Sequence, residues 1–183
     1  MDFAKVLRMV ASFFEEQRVL YAVVGAFGLH AYGLTRATLD LDFVVDAEVQ
    51  PKLVNFLKSL GYKTLHLSSG YSNHLHADPA MGRLDFIYVA GDTSRLLFNS
   101  AQRRLLLEDV SILVPKPEHL AAMKIQAMKN DPSRTFQEMS DIQFLLALPG
   151  VDREEIKRYF EKQGMVDRYD EIQRQLGNAE PGL

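Results

Sequence analysis

At 183 residues the chain is long enough for one domain, or one domain with a helical extension, and for a sizeable buried core. Its composition, 47% hydrophobic and 25% charged, is that of a soluble globular protein, and no apolar stretch approaches the roughly 20 residues that span a bilayer. The absence of cysteine excludes disulfides and thiolate metal sites, while a net charge of −3 argues against an extended footprint for duplex nucleic acid and leaves room for a local basic groove. Glu15 and Glu16 stand where a signal peptide would end in small residues, so a cytoplasmic location is expected.

In chain order, Phe3, Val6, Leu7, Val10, Phe13 and Phe14 recur at helical spacing and predict an amphipathic helix over about residues 2–18. Leu20 to Val24 reads as a short buried strand ending at Gly25, and Ala26 to Tyr32 as a short helix stopped by Gly33. Thr38 to Asp46 alternates and reads as a strand. Glu48 to Leu60 predicts a helix with Leu53, Phe56, Leu57 and Leu60 inward, ended by Gly61. Tyr62 to Leu67, Asn73 to Ala77 and Arg83 to Val89 read as short strands separated by Ser-Ser-Gly and Asp-Pro turn signals. RRLLLEDV from Arg103, followed by SILV, suggests a closing hairpin. Beyond Pro115 and Pro117 the pattern turns helical, at roughly 117–129, 134–147, 152–163 and 166–176. The expected organisation is an α/β core over residues 1–115 and a helical region over 116–183 packed on it.

The chemistry concentrates in the alternating strand. Asp40 and Asp42 alternate with Leu39, Leu41, Phe43 and Val45, so both carboxylates point to one face. Asp85, in the apolar run Leu84 to Val89, can bring a third carboxylate to the same place. Buried carboxylates repel one another and call for a cation, for which a hard divalent ion is the natural candidate. The strand–Gly25–helix turn just upstream brings backbone N–H groups beside them, suited to phosphate. The bland alternative is an edge strand with acids on its wet face.

The run Gly25-Ala26, thirteen residues, then Asp40-x-Asp42, with Asp85 on a later strand, resembles the DNA polymerase β-type nucleotidyltransferase superfamily. More narrowly, GAFGLHAYGLTRATLDLDFVV resembles the minimal nucleotidyltransferases of the AbiEii type, toxins of type IV toxin–antitoxin systems. The resemblance covers about residues 20–145 and implies an α+β nucleotidyltransferase fold, with a mixed or antiparallel sheet flanked by helices and a C-terminal helical bundle. It also implies Mg²⁺ or Mn²⁺ held by Asp40, Asp42 and Asp85 in a two-metal transfer of NMP from an NTP to a hydroxyl. Gly25 and Ala26 would give backbone contacts to phosphate, and Lys124 would neutralise the departing pyrophosphate. Asp141 matches an acid often found near that lysine, and Arg36 and Thr38 match the Arg-x-Thr-x-Asp-x-Asp spacing. Ala26 departs from the usual Gly or Ser, which is expected to weaken nucleotide binding rather than abolish it.

The residues keep other readings open. Lys124 has Leu120, Ala121 and Met128 as helical neighbours, so it either snorkels to a rim or serves a buried purpose. Asp141 reads equally as a surface acid paired with Arg134 or Lys129, and Arg36 as solvated. His30 is expected to be packed or hydrogen-bonded; His66, His74 and His76 are expected to face substrate or solvent. Three functions compete. The first is transfer to an RNA end or a protein, with a possible antitoxin partner and no membrane. The second is transfer to a small molecule of the antibiotic kind, toward which the negative charge leans. The third is a catalytically inactive nucleotide-binding or scaffold relative.

Overall fold

The computed structural model describes residues 1–107 and 110–179. The first helix, α1 (Phe3–Gln17), starts where the Asp2 carboxylate accepts the Lys5 amide at 3.1 Å. It buries Val6, Leu7, Val10, Phe13 and Phe14, the stripe expected from the sequence. Then follow β1 (Tyr21–Val23), α2 (Gly25–His30), β2 (Asp40–Asp46), a 3₁₀ turn at Ala47–Val49 and α3 (Gln50–Ser59). After these come β3 (Lys63–Leu67), β4 (Tyr71–Leu75), β5 (Arg83–Val89) and α4 (Gly91–Ser100). A separate hairpin of β6 (Gln102–Leu107) and β7 (Val110–Val114) ends this part; Glu108 and Asp109 of the expected hairpin lie outside the described residues.

Among the described residues, β1 to β5 form one mixed sheet in the order β1-β2-β5-β4-β3. Only β2 and β5 run parallel; β1–β2, β5–β4 and β4–β3 are antiparallel. The parallel pairing needs a long crossover, supplied by α3 and the β3–β4 hairpin. Alternation then divides the chemistry between two faces. Leu41, Phe43 and Val45 of β2 and Leu84, Phe86 and Tyr88 of β5 are buried on one of them. There Phe43 stacks on Phe86 with centroids 5.4 Å apart, and Phe14 of α1 lies 6.2 and 6.3 Å from the two rings. Each such ring contributes about 1.5–3 kcal/mol by leaving water.

Two local expectations are corrected. In α3 the buried residues are Leu53, Val54 and Leu57, while Phe56 is half-buried and stacks on Phe13 at 4.3 Å. Helix α4 was not expected, because its sequence GDTSRLLFNS buries little: Leu97 and Phe98 face inward and Leu96 stays exposed.

The chain divides into two units, Met1–Pro115 and a helical one from Lys116 onward. The second comprises α5 (Pro117–Asn130), α6 (Thr135–Leu146), α7 (Arg153–Gln163) and α8 (Val166–Ala179). Pro117 opens α5, and Asp152 caps α7 by accepting the Glu155 amide at 2.9 Å. Leu120, Ile125, Ile142, Leu145, Ile156, Phe160 and Ile172 fill its core. The architecture is α+β with a mixed sheet flanked by helices, as the sequence led one to expect. Among the described residues, no helix is long and apolar enough to cross a membrane.

Behind the sheet runs a buried polar chain. His74 Nδ1 lies 3.1 Å from Thr64 Oγ1, His74 Nε2 lies 2.9 Å from Ser72 Oγ, and Ser72 Oγ lies 2.6 Å from the Tyr88 hydroxyl. His74 is therefore neither substrate-facing nor on the surface, contrary to expectation: strand alternation sends Ser72 and His74 to the core face of β4. Burial, then the Lys58 charge, pushes the His74 imidazole down to about 4 from 6.5. The fold keeps it neutral while the unfolded chain takes up a proton, so its contribution to stability is complete above pH 6.5 and is lost as pH falls toward 4. At about 1.4 kcal/mol per pH unit, the loss over that window is about 3 kcal/mol. Urea midpoints measured from pH 7 to 4.5 should fall faster for the parent than for His74→Gln. Parallel profiles for the two proteins would refute this role.

Candidate active site

The parallel register of β2 and β5 sets Asp42 beside Asp85 and Asp40 beside Arg83. Asp40, Asp42 and Asp85 each present a carboxylate oxygen within 4.8 Å of the others, a spacing that suits a shared cation. The donor set is all-oxygen and anionic, which fits a hard divalent ion such as Mg²⁺.

Each carboxylate is held by its surroundings. Thr38 Oγ1 donates to Asp40 Oδ1 at 2.5 Å, so the threonine of the Arg-x-Thr-x-Asp-x-Asp run orients the first aspartate. Asp42 is fixed through the turn before it. The Val24 amide donates to the Asp42 carbonyl at 2.9 Å, and Gly25 (φ +59°) lies so close that a Cβ there would fall 1.9 Å from Asp42 Oδ2. Only glycine satisfies both the backbone angle and the approach. Asp85 is nearly buried and takes three hydrogen bonds: Arg83 Nε to Oδ1 at 2.9 Å, Arg83 Nη2 to Oδ2 at 3.0 Å, and the Tyr71 hydroxyl to Oδ2 at 2.9 Å. Hydrogen bonding to Asp85 holds Arg83 firmly protonated. Burial, then the Asp85 charge, pushes the Tyr71 hydroxyl up to about 12, so it remains a donor at neutral pH.

Further residues share this face. Asn73 of β4 pairs in register with Asp85, and its buried amide oxygen has no protein donor among the described residues. His66 of β3 pairs with Asn73, and its ring lies 5.9 Å from that of Tyr71. Sequence reasoning missed Tyr71, Asn73 and Arg83. For Arg83 a signal existed, since Arg83 and Asp85 stand two apart on a strand and must share a face.

The remaining sequence candidates fall as follows. Ala26 is buried in the first turn of α2, whose start carries no capping side chain. Arg36 is half-buried in the loop before β2. His30 is exposed, with Nδ1 3.1 Å from Thr35 Oγ1. His76 accepts the Asp78 amide at Nδ1 (2.9 Å), so its Nε2 carries the proton and donates to the Leu60 carbonyl (3.1 Å).

Lys124 and Asp141 form a cluster of their own in the helical unit, with a member the sequence did not suggest. Lys124 Nζ lies 2.5 Å from Asp141 Oδ2 and 2.9 Å from Glu138 Oε2, all three residues being buried. Arg134 Nη2 pairs with the second Glu138 oxygen at 2.5 Å. Lys124 thus does not snorkel, and Asp141 is no surface acid. Glu138 and Asp141 stand three apart, on one face of α6, which was the available hint.

No family profile and no curated protein matches this sequence. Solved structures do match. The antibiotic-resistance factor ANT(2″)-Ia is 12% identical with a TM-score of 0.67, over 97% of this chain and 100% of its own. The lincosamide antibiotic adenylyltransferase LnuA, solved with lincomycin bound, is 19% identical with a TM-score of 0.56, over 78% of this chain and 96% of its own. An antigenic nucleotidyltransferase-like protein from Paracoccidioides brasiliensis is 16% identical with a TM-score of 0.56, over 94% of this chain and 92% of its own. With its mixed sheet and flanking helices, the chain has the nucleotidyltransferase fold.

Proposed function

We propose that the protein is a metal-dependent nucleotidyltransferase that moves an NMP group from a nucleoside triphosphate to a hydroxyl of a small molecule, in the cytoplasm. The observation that carries this reading is the cluster of Asp40, Asp42 and Asp85, with oxygens within 4.8 Å of one another beside the tight Gly25 turn. A divalent ion bound there would supply Lewis-acid polarisation of the phosphoryl oxygens. Asp40, oriented by Thr38, and Asp42, braced against Gly25, would hold it. The amides at the start of α2 lie beside Asp42 for phosphate, with Ala26 offering its backbone and Arg36 a nearby charge. The acceptor oxygen bonds to the α-phosphorus as the bond to the pyrophosphate oxygen breaks, and the hydroxyl proton passes to Asp85 at the open position of Oδ1. Asp85 faces the acceptor hydroxyl, and the Asn73 amide oxygen is ready to accept a hydrogen bond from a neighbouring donor of the same molecule.

In the helical unit Lys124 gives two of its three donors to Glu138 and Asp141, and only the family resemblance assigns it to the pyrophosphate. Two facts support a small acceptor: ANT(2″)-Ia and LnuA, both named for antibiotics, match this fold along most of their length, and the net charge is −3. A second reading rests on the AbiEii-like run GAFGLHAYGLTRATLDLDFVV, which favours an RNA or protein acceptor and an antitoxin partner.

The test is incubation with each α-labelled NTP and Mg²⁺, separately with a panel of amino- and hydroxyl-bearing small molecules, total RNA and protein extract. Label is expected in the small-molecule fraction. Label on RNA or protein would move the assignment to the second reading, and no Mg²⁺-dependent label in any fraction would leave only the inactive relative.

A further inference from the structure

Resting on the nucleotidyltransferase reading above, we infer that Arg83 occupies the place of a second cation, so that the carboxylate face takes one divalent ion rather than the two expected from the sequence. Most acceptor positions of Asp85 are already filled. Oδ2 accepts from Arg83 Nη2 at 3.0 Å and from the Tyr71 hydroxyl at 2.9 Å, which uses both of its acceptor positions. Oδ1 accepts from Arg83 Nε at 2.9 Å and keeps one. A second ion on Asp85 and an acceptor hydroxyl beside it would together need two. One position serves one of them.

The guanidinium is also well placed to act as a fixed charge. Arg83 and Asp85 are two apart on β5 and share a face, and the parallel register puts Arg83 next to Asp40 on β2. It therefore stands on the sheet between the first and third carboxylates, in a fork-to-fork pairing that a lysine cannot reproduce. Its charge is single, tethered and independent of metal concentration. It neutralises Asp85 without adding a ligand position, and the Arg83 side chain, 40% exposed, extends to the surface where a substrate anion can reach it. Electrostatic stabilisation of a phosphoryl group by an arginine in place of a further metal charge is chemically sufficient.

The test counts ions directly. Native mass spectrometry of the full chain with Mn²⁺ and a non-hydrolysable α,β-methylene triphosphate should show one Mn²⁺ per nucleotide-bound chain, and two for Arg83→Gln, in which both charge and fork are gone. Two Mn²⁺ on the parent protein would overturn the inference and leave the nucleotidyltransferase reading standing. One on Arg83→Gln would also overturn it, because the arginine would then not be what excludes the second ion. Neither Mn²⁺ nor nucleotide on the parent would overturn both. Two Mn²⁺ on the parent overturn the inference whether or not the variant folds.

Discussion

Replacing Asp42 with asparagine should lower nucleotidyl transfer about a thousandfold while leaving the fold as stable as the parent or slightly more so. The stability half follows from charge. Asp42 shares its face with Asp40 and, across the parallel register, with Asp85, so removing one negative charge relieves repulsion in the metal-free protein. Asparagine also keeps the shape packed against Gly25, where there is no space for anything larger. The activity half follows from what the amide lacks: it is a neutral ligand where the reaction needs an anionic one. A thousandfold is about 4 kcal/mol of transition-state stabilisation, the order that a metal position or an oxyanion donor supplies. Thermal unfolding and label transfer, measured on the same preparation, check both halves. Full activity in the variant would remove Asp42 from the site. Lost activity with a sharply lower melting temperature would instead point to a packing role.

Lys124→Met should destabilise the helical unit by about 3–5 kcal/mol, because Glu138 and Asp141 would stay buried after losing the ammonium they share, with Arg134 still on the other Glu138 oxygen. Replacing all three together, Lys124→Met with Glu138→Leu and Asp141→Leu, should recover most of that loss, since a buried ionic cluster and a well-packed apolar one are of similar stability. The recovered variant separates two roles of the lysine. If its remaining N–H meets a phosphate oxygen, nucleotide affinity falls about tenfold in the stable triple variant, the size of one charge-assisted hydrogen bond. Denaturant midpoints for the single and triple variants, followed by nucleotide titration of the triple variant, measure this. Unchanged affinity would reduce the cluster to a structural brace.

What was legible in the sequence was local. The period of two in DLDFVVD places Asp40 and Asp42 on one face whatever the sheet does, and the amphipathic stripe of α1 and the change to helices after Pro117 follow from spacing in the same way. The apolar neighbours of Lys124 at helical intervals put it on a buried stripe and left open whether its ammonium snorkels out. Where the apolar pattern thinned, the reading thinned with it. Helix α4 buries too little to show a period, and YSNHL of β4 carries polar residues on both faces, so alternation alone left His74 free to be placed on the wrong one.

The tertiary structure decided everything that depends on pairing across a long loop. That Asp85 stands beside Asp42, and not one register position away, is a property of the parallel β2–β5 ladder, which joins strands about forty residues apart through a crossover. That Arg83 and Tyr71 occupy the lone pairs of Asp85, and that Asp141 pairs with Lys124 rather than with Arg134 or Lys129 while Glu138 completes the cluster, follows from packing among separate elements. Side-chain periodicity is set by the backbone of one element and is written in consecutive residues. The partner of a buried charge is set by whichever element the hydrophobic core brings alongside, and no window of sequence contains both.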